Sequence, residues 1–325
     1  DLALDWVSDI FFNSLLPERE ARREKGVIIE EINMRCDHPM VYLQVLWTRL
    51  LYGDQPAGWD IIGTKESVAN ITRKKLTAYM KKQYVASNTI ICVAGKINHS
   101  SAIQKIKKCF SKIKKTQPVE KPPVIEKQNR PNLLLYSRQT DQTHLCLGAR
   151  AYNLFHPQRY AQELLAVILG GMMSSRLFLE VREKLGIAYY ISTSSQLNPD
   201  SGYLVTQAGV DNKKIEKAIL TILKEYKKIS QEKVPTEELK KAKDYIKGIT
   251  ALALEPSNAQ ASFYAGQELL EKRVLTAKEI FAKIDKVTAS DILKVARDIF
   301  QPPKLNLALI GPFKDKTKFQ KLLKL

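Results

Sequence analysis

An internal repeat constrains this chain more than any other feature. Setting Ile71 on Val287, an offset of 216, pairs Thr72 with Thr288, Leu76 with Ile292, Tyr84 with Phe300, Gly95 with Gly311, Ile103 with Phe319 and Ile106 with Leu322. No gap is needed, so a helix, a strand, a glycine and a second helix close each copy. The repeat predicts an α+β chain of two similar domains, each a mainly antiparallel sheet packed against helices. Pro17–Asp37 then falls opposite the Pro235–Thr250 helix if a shift of about two residues is allowed. At the aligned positions that helix carries Ala242 and Ile249. Counting 216 back from Pro131 reaches −85, so the repeat leads us to expect some eighty-odd residues ahead of Asp1 and a first domain truncated at its N-terminus.

Length agrees with two domains, since 325 residues at 44% hydrophobic content can bury sizeable cores. The boundary falls in Ser111–Pro131, SKIKKTQPVEKPPVIEKQNRP, whose prolines and mixed charges are those of a semi-extended linker. This places the first domain at residues 1–112, the linker at 113–131 and the second domain at 132–325. A formal charge of +18 invites a nucleic-acid reading. The densest basic run, Lys105–Lys127, alternates with prolines and lacks interleaved aromatics, so a solvated surface and a charged linker explain it more simply. The four cysteines, Cys36, Cys92, Cys109 and Cys146, make neither a disulfide framework nor a zinc knuckle. No apolar run reaches the length of a membrane span, and no signal segment is seen at the start, which is Asp1.

Periodicity predicts helices at Pro17–Asp37, Val41–Tyr52, Arg73–Tyr84, Ser100–Phe110, Pro157–Leu169, Ser174–Leu185, Lys213–Ile229, Glu237–Leu254, Asn258–Glu271 and Ala277–Ile284. Strands are predicted at Asn88–Ala94, Leu133–Ser137, Thr143–Gly148, Ala188–Ser194 and Gly202–Ala208.

Two clusters could carry chemistry. In the Pro17–Asp37 helix, Val27, Ile28, Ile32 and Met34 define an apolar arc, and Glu24 and Glu31 fall inside it, seven residues apart on one face. Carboxylates on a buried face need a cation, a metal or a hydrogen-bond network. Pairing with a nearby Arg or Lys, or a half-covered helix, would satisfy them equally. In Ser174–Tyr190, Leu177, Phe178, Val181 and Leu185 make the packed face, Gly186 caps the helix and Tyr189 opens the next strand. Arg182 and Tyr189 could therefore converge on a peptide carbonyl or an oxyanion, or could instead be ion-paired and packed. The four histidines, His38, His99, His144 and His156, contain no pair three to five apart, and each reads as structural. No GxSxG, GxGxxG or Walker pattern is present.

Taken together, REKGVIIEEINMRCDHP (Arg23–Pro39), GTKESVANITRKKLTAYMKKQYVASNTIICVAGKI (Gly63–Ile97), GGMMSSRLFLEVREKLGIAYYI (Gly170–Ile191) and SGYL (Ser201–Leu204) resemble the pitrilysin/insulinase family of inverted-motif zinc peptidases, in particular its bacterial and mitochondrial-processing branch. The resemblance spans nearly the whole chain. It implies a clamshell of two halves, a zinc held by two histidines of an H-x-x-E-H helix, and a third ligand matched here by Glu31, with Glu24 as the supporting acid. It also matches Arg182 and Tyr189 to the family's substrate-holding pair. It implies a peptide substrate, cleavage in a closed chamber, and a homodimer or a heterodimer of family members; a cytoplasmic location is a separate expectation.

The H-x-x-E-H itself is absent from this sequence, so the expectation is a zinc endopeptidase fragment that is inactive alone and does not retain Zn2+. The competing expectation is a non-catalytic scaffold or regulatory subunit of the same family.

Overall fold

A computed structural model describes every residue from Asp1 to Leu325. The fold is a mixture of helices and one five-stranded sheet, of the α+β kind that the repeat predicts. The chain divides into two compact units. Unit 1 comprises Asp1–Asn33, Ile62–Pro122 and Thr250–Thr276, and unit 2 comprises Met34–Ile61, Pro123–Ile249 and Ala277–Leu325.

This division carries the mark of the repeat. Adding 216 to Met34 and Ile61 gives 250 and 277, and the segment that unit 1 takes from the C-terminal half is Thr250–Thr276. Each copy therefore lends the other unit the same stretch. Helices α1 (Leu2–Asn13), α2 (Glu18–Asp37) and α3 (Pro39–Tyr52) open the chain, and it leaves unit 1 within α2, between Asn33 and Met34. Unit 1 also holds α4 (Lys65–Ala69), α5 (Arg73–Gln83) and α6 (His99–Cys109). Phe11, Phe12, Tyr84 and Phe110 pack their rings together there.

Unit 2 is built on strands β1 (Asn132–Ser137), β2 (Gln142–Arg150), β3 (Ala188–Leu197), β4 (Gly202–Asp211) and β5 (Leu305–Gly311), in the order β1-β5-β2-β4-β3. Only β1 and β5 run parallel. Side chains alternate across β2: Leu145, Leu147 and Ala149 enter one core, while Cys146 enters another. The first core is closed by α7 (Arg159–Ala166), α8 (Ile215–Gln231) and, after α9 (Thr236–Ala253), α10 (Ser257–Glu271) and α11 (Ala277–Asp285), by α12 (Ala289–Ile299) and the short α13 (Thr317–Leu322). In the second, Leu43, Leu46, Trp47 and Leu51 of α3 cover Cys146, Val205, Ala308 and Ile310. With both faces covered, β5 is buried throughout, which accounts for its nearly continuous apolar sequence LNLALIG.

Three sequence expectations are corrected. Asn88–Ala94 is not a strand: a 3-10 turn at Ala86–Asn88 is followed by extended chain with no ladder partner, and Ile90 and Val93 are exposed. A strand needs a neighbour to satisfy its backbone, and local composition does not supply one. The predicted helix Pro157–Leu169 starts as α7 and widens into a π-helix at Val167–Gly171. Likewise, the centre of the predicted Ser174–Leu185 helix is a π-helix at Phe178–Lys184. A Cβ on Gly170 would lie 2.3 Å from Thr193 Oγ1 and 2.6 Å from Thr193 N, so the first glycine of the GG pair is what lets the widened turn lie on β3.

Candidate active site

Unit 1 presents Glu24 and Glu31 on α2. The sequence places them on a buried face, but the structure rotates that face away. Ala21, Lys25, Ile28 and Ile32 form the covered stripe, while Val27 (46% exposed) and Met34 (66%) lie outside it with both glutamates. At 100° per residue the glutamates lie about a quarter turn from the stripe. Neither has an ion-pair partner or a side-chain hydrogen bond, although α2 is rich in arginine and Lys25 is occupied with the Ala69 carbonyl at 2.8 Å. The ion-paired alternative is therefore not what the structure contains.

The opposite helix is also clarified. The chain crosses between units at Asn33–Met34 in α2 and at Ile249–Thr250 in α9, again 216 apart, so the shift of two residues is unnecessary. The counterparts of Glu24 and Glu31 are then Lys240 and Lys247, not Ala242 and Ile249. Both lysines are paired, Lys240 with Asp244 at 3.5 Å and Lys247 with Asp285 at 2.9 Å and Asp244 at 3.4 Å.

Unit 2 presents Arg182 and Tyr189. Arg182 is exposed on the π-helix Phe178–Lys184, and its guanidinium lies 5.0 Å from the centre of the Phe178 ring, with no carboxylate within ion-pair distance. The helix ends through the Leu185 N–H donating to the Glu180 carbonyl at 3.1 Å and the Ile187 N–H to Val181 at 3.2 Å. Gly186 then turns the chain at φ +58°. Tyr189 is 67% exposed and sits where the β3–β4 register shifts between Ala188 and Tyr190, a bulge that leaves the extra residue outside the pairing. Neither the paired nor the packed alternative describes this pair: both side chains face solvent.

Sequence reasoning missed two features of unit 2. His144, read as a strand residue, is buried with its Nδ1 2.9 Å from the Tyr190 hydroxyl. Burial, with a smaller contribution from His38, lowers its pKa below the ordinary histidine value, and burial raises that of Tyr190. Arg176, at the start of the π-helical segment, forms a bidentate pair with Glu238. Burial opposes the charge of Arg176, but the hydrogen bonds and field of Glu238, with Glu225 and Glu232, outweigh it and hold the pKa above its ordinary value. The alternation of β2 puts His144 on the same face as Cys146, and this was the available signal for the first. Nothing in the sequence signals the second.

Nowhere do three His, Cys, Asp or Glu side chains gather in a group able to hold a metal. Glu31 alone, exposed, does not fit a zinc site, which takes three or four protein donors.

The comparisons with known proteins agree with the fold. The profile of the "Peptidase M16 inactive domain" matches residues 70–246. The uncharacterized zinc protease YmxG of Bacillus subtilis is 33% identical over 313 residues, which are 95% of this chain and 75% of that protein. Among solved structures, the peptidase M16 inactive domain from Pseudomonas fluorescens superposes with a TM-score of 0.87 at 18% identity, over 97% of this chain and 76% of that one. A protease from Helicobacter pylori gives 0.85 at 22% identity, over 96% and 77%. The chain is a member of the M16, or pitrilysin-like, peptidase family. Its sequence as given contains the family's inactive domain and no H-x-x-E-H.

Proposed function

We propose that this chain serves peptide-bond hydrolysis in a zinc-dependent endopeptidase of the M16 family. One observation carries the reading: the four side chains that match the family's site, Glu24, Glu31, Arg182 and Tyr189, all face solvent without a charged partner, whereas the lysines at the repeat-related positions of α9 are paired. Glu24, Glu31 and Tyr189 are thus open to a ligand, and Arg182, which rests only on the Phe178 ring, keeps its donors free. In this proposal Glu31 supplies one carboxylate to a metal whose remaining ligands come from outside these residues. Glu24 is one heptad, roughly 10 Å, from Glu31 along the helix, too far to share one ion, and supports the site from nearby. Arg182 donates to peptide carbonyls through its planar fork, and Tyr189 offers a phenol for the same purpose.

The test uses the full-length protein, a fluorogenic peptide and a chelator. Activity should disappear with chelator and return with zinc, and Glu31→Gln should lower kcat/KM by a factor of about 10³ or more. Full activity in Glu31→Gln would remove the ligand assignment. The second reading is a non-catalytic family member, a scaffold or regulatory subunit. A full-length protein that neither binds zinc by metal analysis nor cleaves peptide would establish that reading instead.

A further inference from the structure

Arg182 stands on a π-helix, a rare geometry that occurs mostly as single turns within α-helices and is frequent at functional sites. The structure shows what holds this one. Arg176, two residues before it begins, keeps only 14% of its side chain exposed. Its Nε donates to Glu238 Oε1 at 2.8 Å and its Nη2 to Oε2 at 2.6 Å, a two-pronged grip on the first turn of α9. Glu225 of α8 is itself buried and, with Glu232, adds negative field at the guanidinium. Within the turn, Val181 is fully buried and accepts the N–H of Ile187. The segment is thus held at its start by the ion pair together with fully buried Leu177, and at its middle by Val181, with Phe178 between these anchors and Arg182 directly after Val181.

We propose that the Arg176–Glu238 pair is a positioning device: it fixes the π-helical register that presents Arg182 to substrate. The inference rests on the substrate role given to Arg182 above. A buried ion pair is weak evidence for stability, because desolvation offsets much of its attraction, and its best-attested use is to select one register. Lysine at position 176 keeps the charge and loses the fork, and glutamine at position 238 keeps the shape and loses the charge.

The test measures kcat and KM of the full-length protein with a fluorogenic peptide, together with amide exchange over residues 178–187. Arg176→Lys and Glu238→Gln should each raise KM about tenfold with kcat within about twofold, and should speed exchange in 178–187 about tenfold while β4 stays protected. Arg176→Lys combined with Arg182→Ala should raise KM no further than Arg182→Ala alone, because Arg176 acts through Arg182. A merely structural pair would instead lower the folded fraction, loosen β4 as well, and combine additively with Arg182→Ala. KM raised in Arg182→Ala but unchanged in both pair variants would overturn this inference alone. KM unchanged in Arg182→Ala would remove the substrate role of Arg182, and the inference with it. Glu238 is partly exposed, so its variant provides the reading if Arg176→Lys folds poorly.

Discussion

The two copies of the repeat use closely related local sequences in opposite ways. In the second, Leu305–Gly311 is a central strand between β1 and β2, buried on both faces. In the first, the matching Thr89–Gly95 has no strand beside it and exposes Ile90 and Val93. The helices before them differ in the same sense. Lys240 and Lys247 of α9 are ion-paired, while Glu24 and Glu31 of α2 are not. Within residues 1–325 the second copy finds its partners, whereas those of the first copy's apolar segment and two acids are not among them. The repeat sets which elements can form, and the neighbours decide which do.

The sharpest test of this contrast is a matched pair of truncations. Leu309→Ala, in the fully buried strand, should cost about 3 kcal/mol in denaturant unfolding, while Val93→Ala at the same repeat position should cost less than about 0.5 kcal/mol. Equal costs would show that the first segment is buried as well. A smaller difference is expected at the helix caps. Thr288 accepts the Asp291 N–H and Asp291 returns a bond to the Thr288 N–H, whereas Thr72 only accepts the Lys75 N–H. Thr288→Ala should therefore cost about 1 kcal/mol and Thr72→Ala about half as much.

Acid should narrow the contrast in protection. His144 has a folded-state pKa below its unfolded value of 6.5, so its neutral form is the one the fold favours. The stabilisation is complete above about 6.5 and is lost as pH falls through the folded value. The protection factor of β2, which is exchange corrected for the intrinsic rate, should fall between pH 7.5 and 5, while residues 89–94, without ladder bonds, should show little protection at either pH. His144→Gln should remove this loss of protection in β2. The smallest effect separates charge with a partner from charge without one. Lys247→Ala should cost about 0.5 kcal/mol, and Glu31→Gln should leave the unfolding midpoint unchanged.

Much of the fold was legible because helices and paired strands record themselves in short-range patterns. The repeat marked a helix in each copy around Leu76 and Ile292, Gly186 marked the end of a helix, and most of the strands of unit 2 alternate as their two cores require. What could not be read depends on distant partners. The apolar arc on α2 mixes a covered stripe, Ile28 and Ile32, with exposed Val27 and Met34, because periodicity gives the width of an apolar arc and not how much of it a neighbour covers. The π-helices were invisible because a 3.6-residue period does not register a one-residue widening held by Gly170 or by Arg176. Of the candidate site, Glu24, Glu31, Arg182 and Tyr189 came from motif resemblance, and spacing alone left each of them ambiguous. The structure adds that each faces solvent.

The reciprocal loan of Met34–Ile61 and Thr250–Thr276 has a further consequence for how the chain can be taken apart. A protease cut between Pro122 and Pro123 would leave one fragment with α3, which unit 2 needs to cover Cys146, Val205, Ala308 and Ile310, and the other with α10, which belongs to unit 1. Neither fragment owns a complete unit. The pieces would behave as complementing halves of a split protein, each finishing the other's fold, and expressing either one alone should yield an aggregation-prone chain.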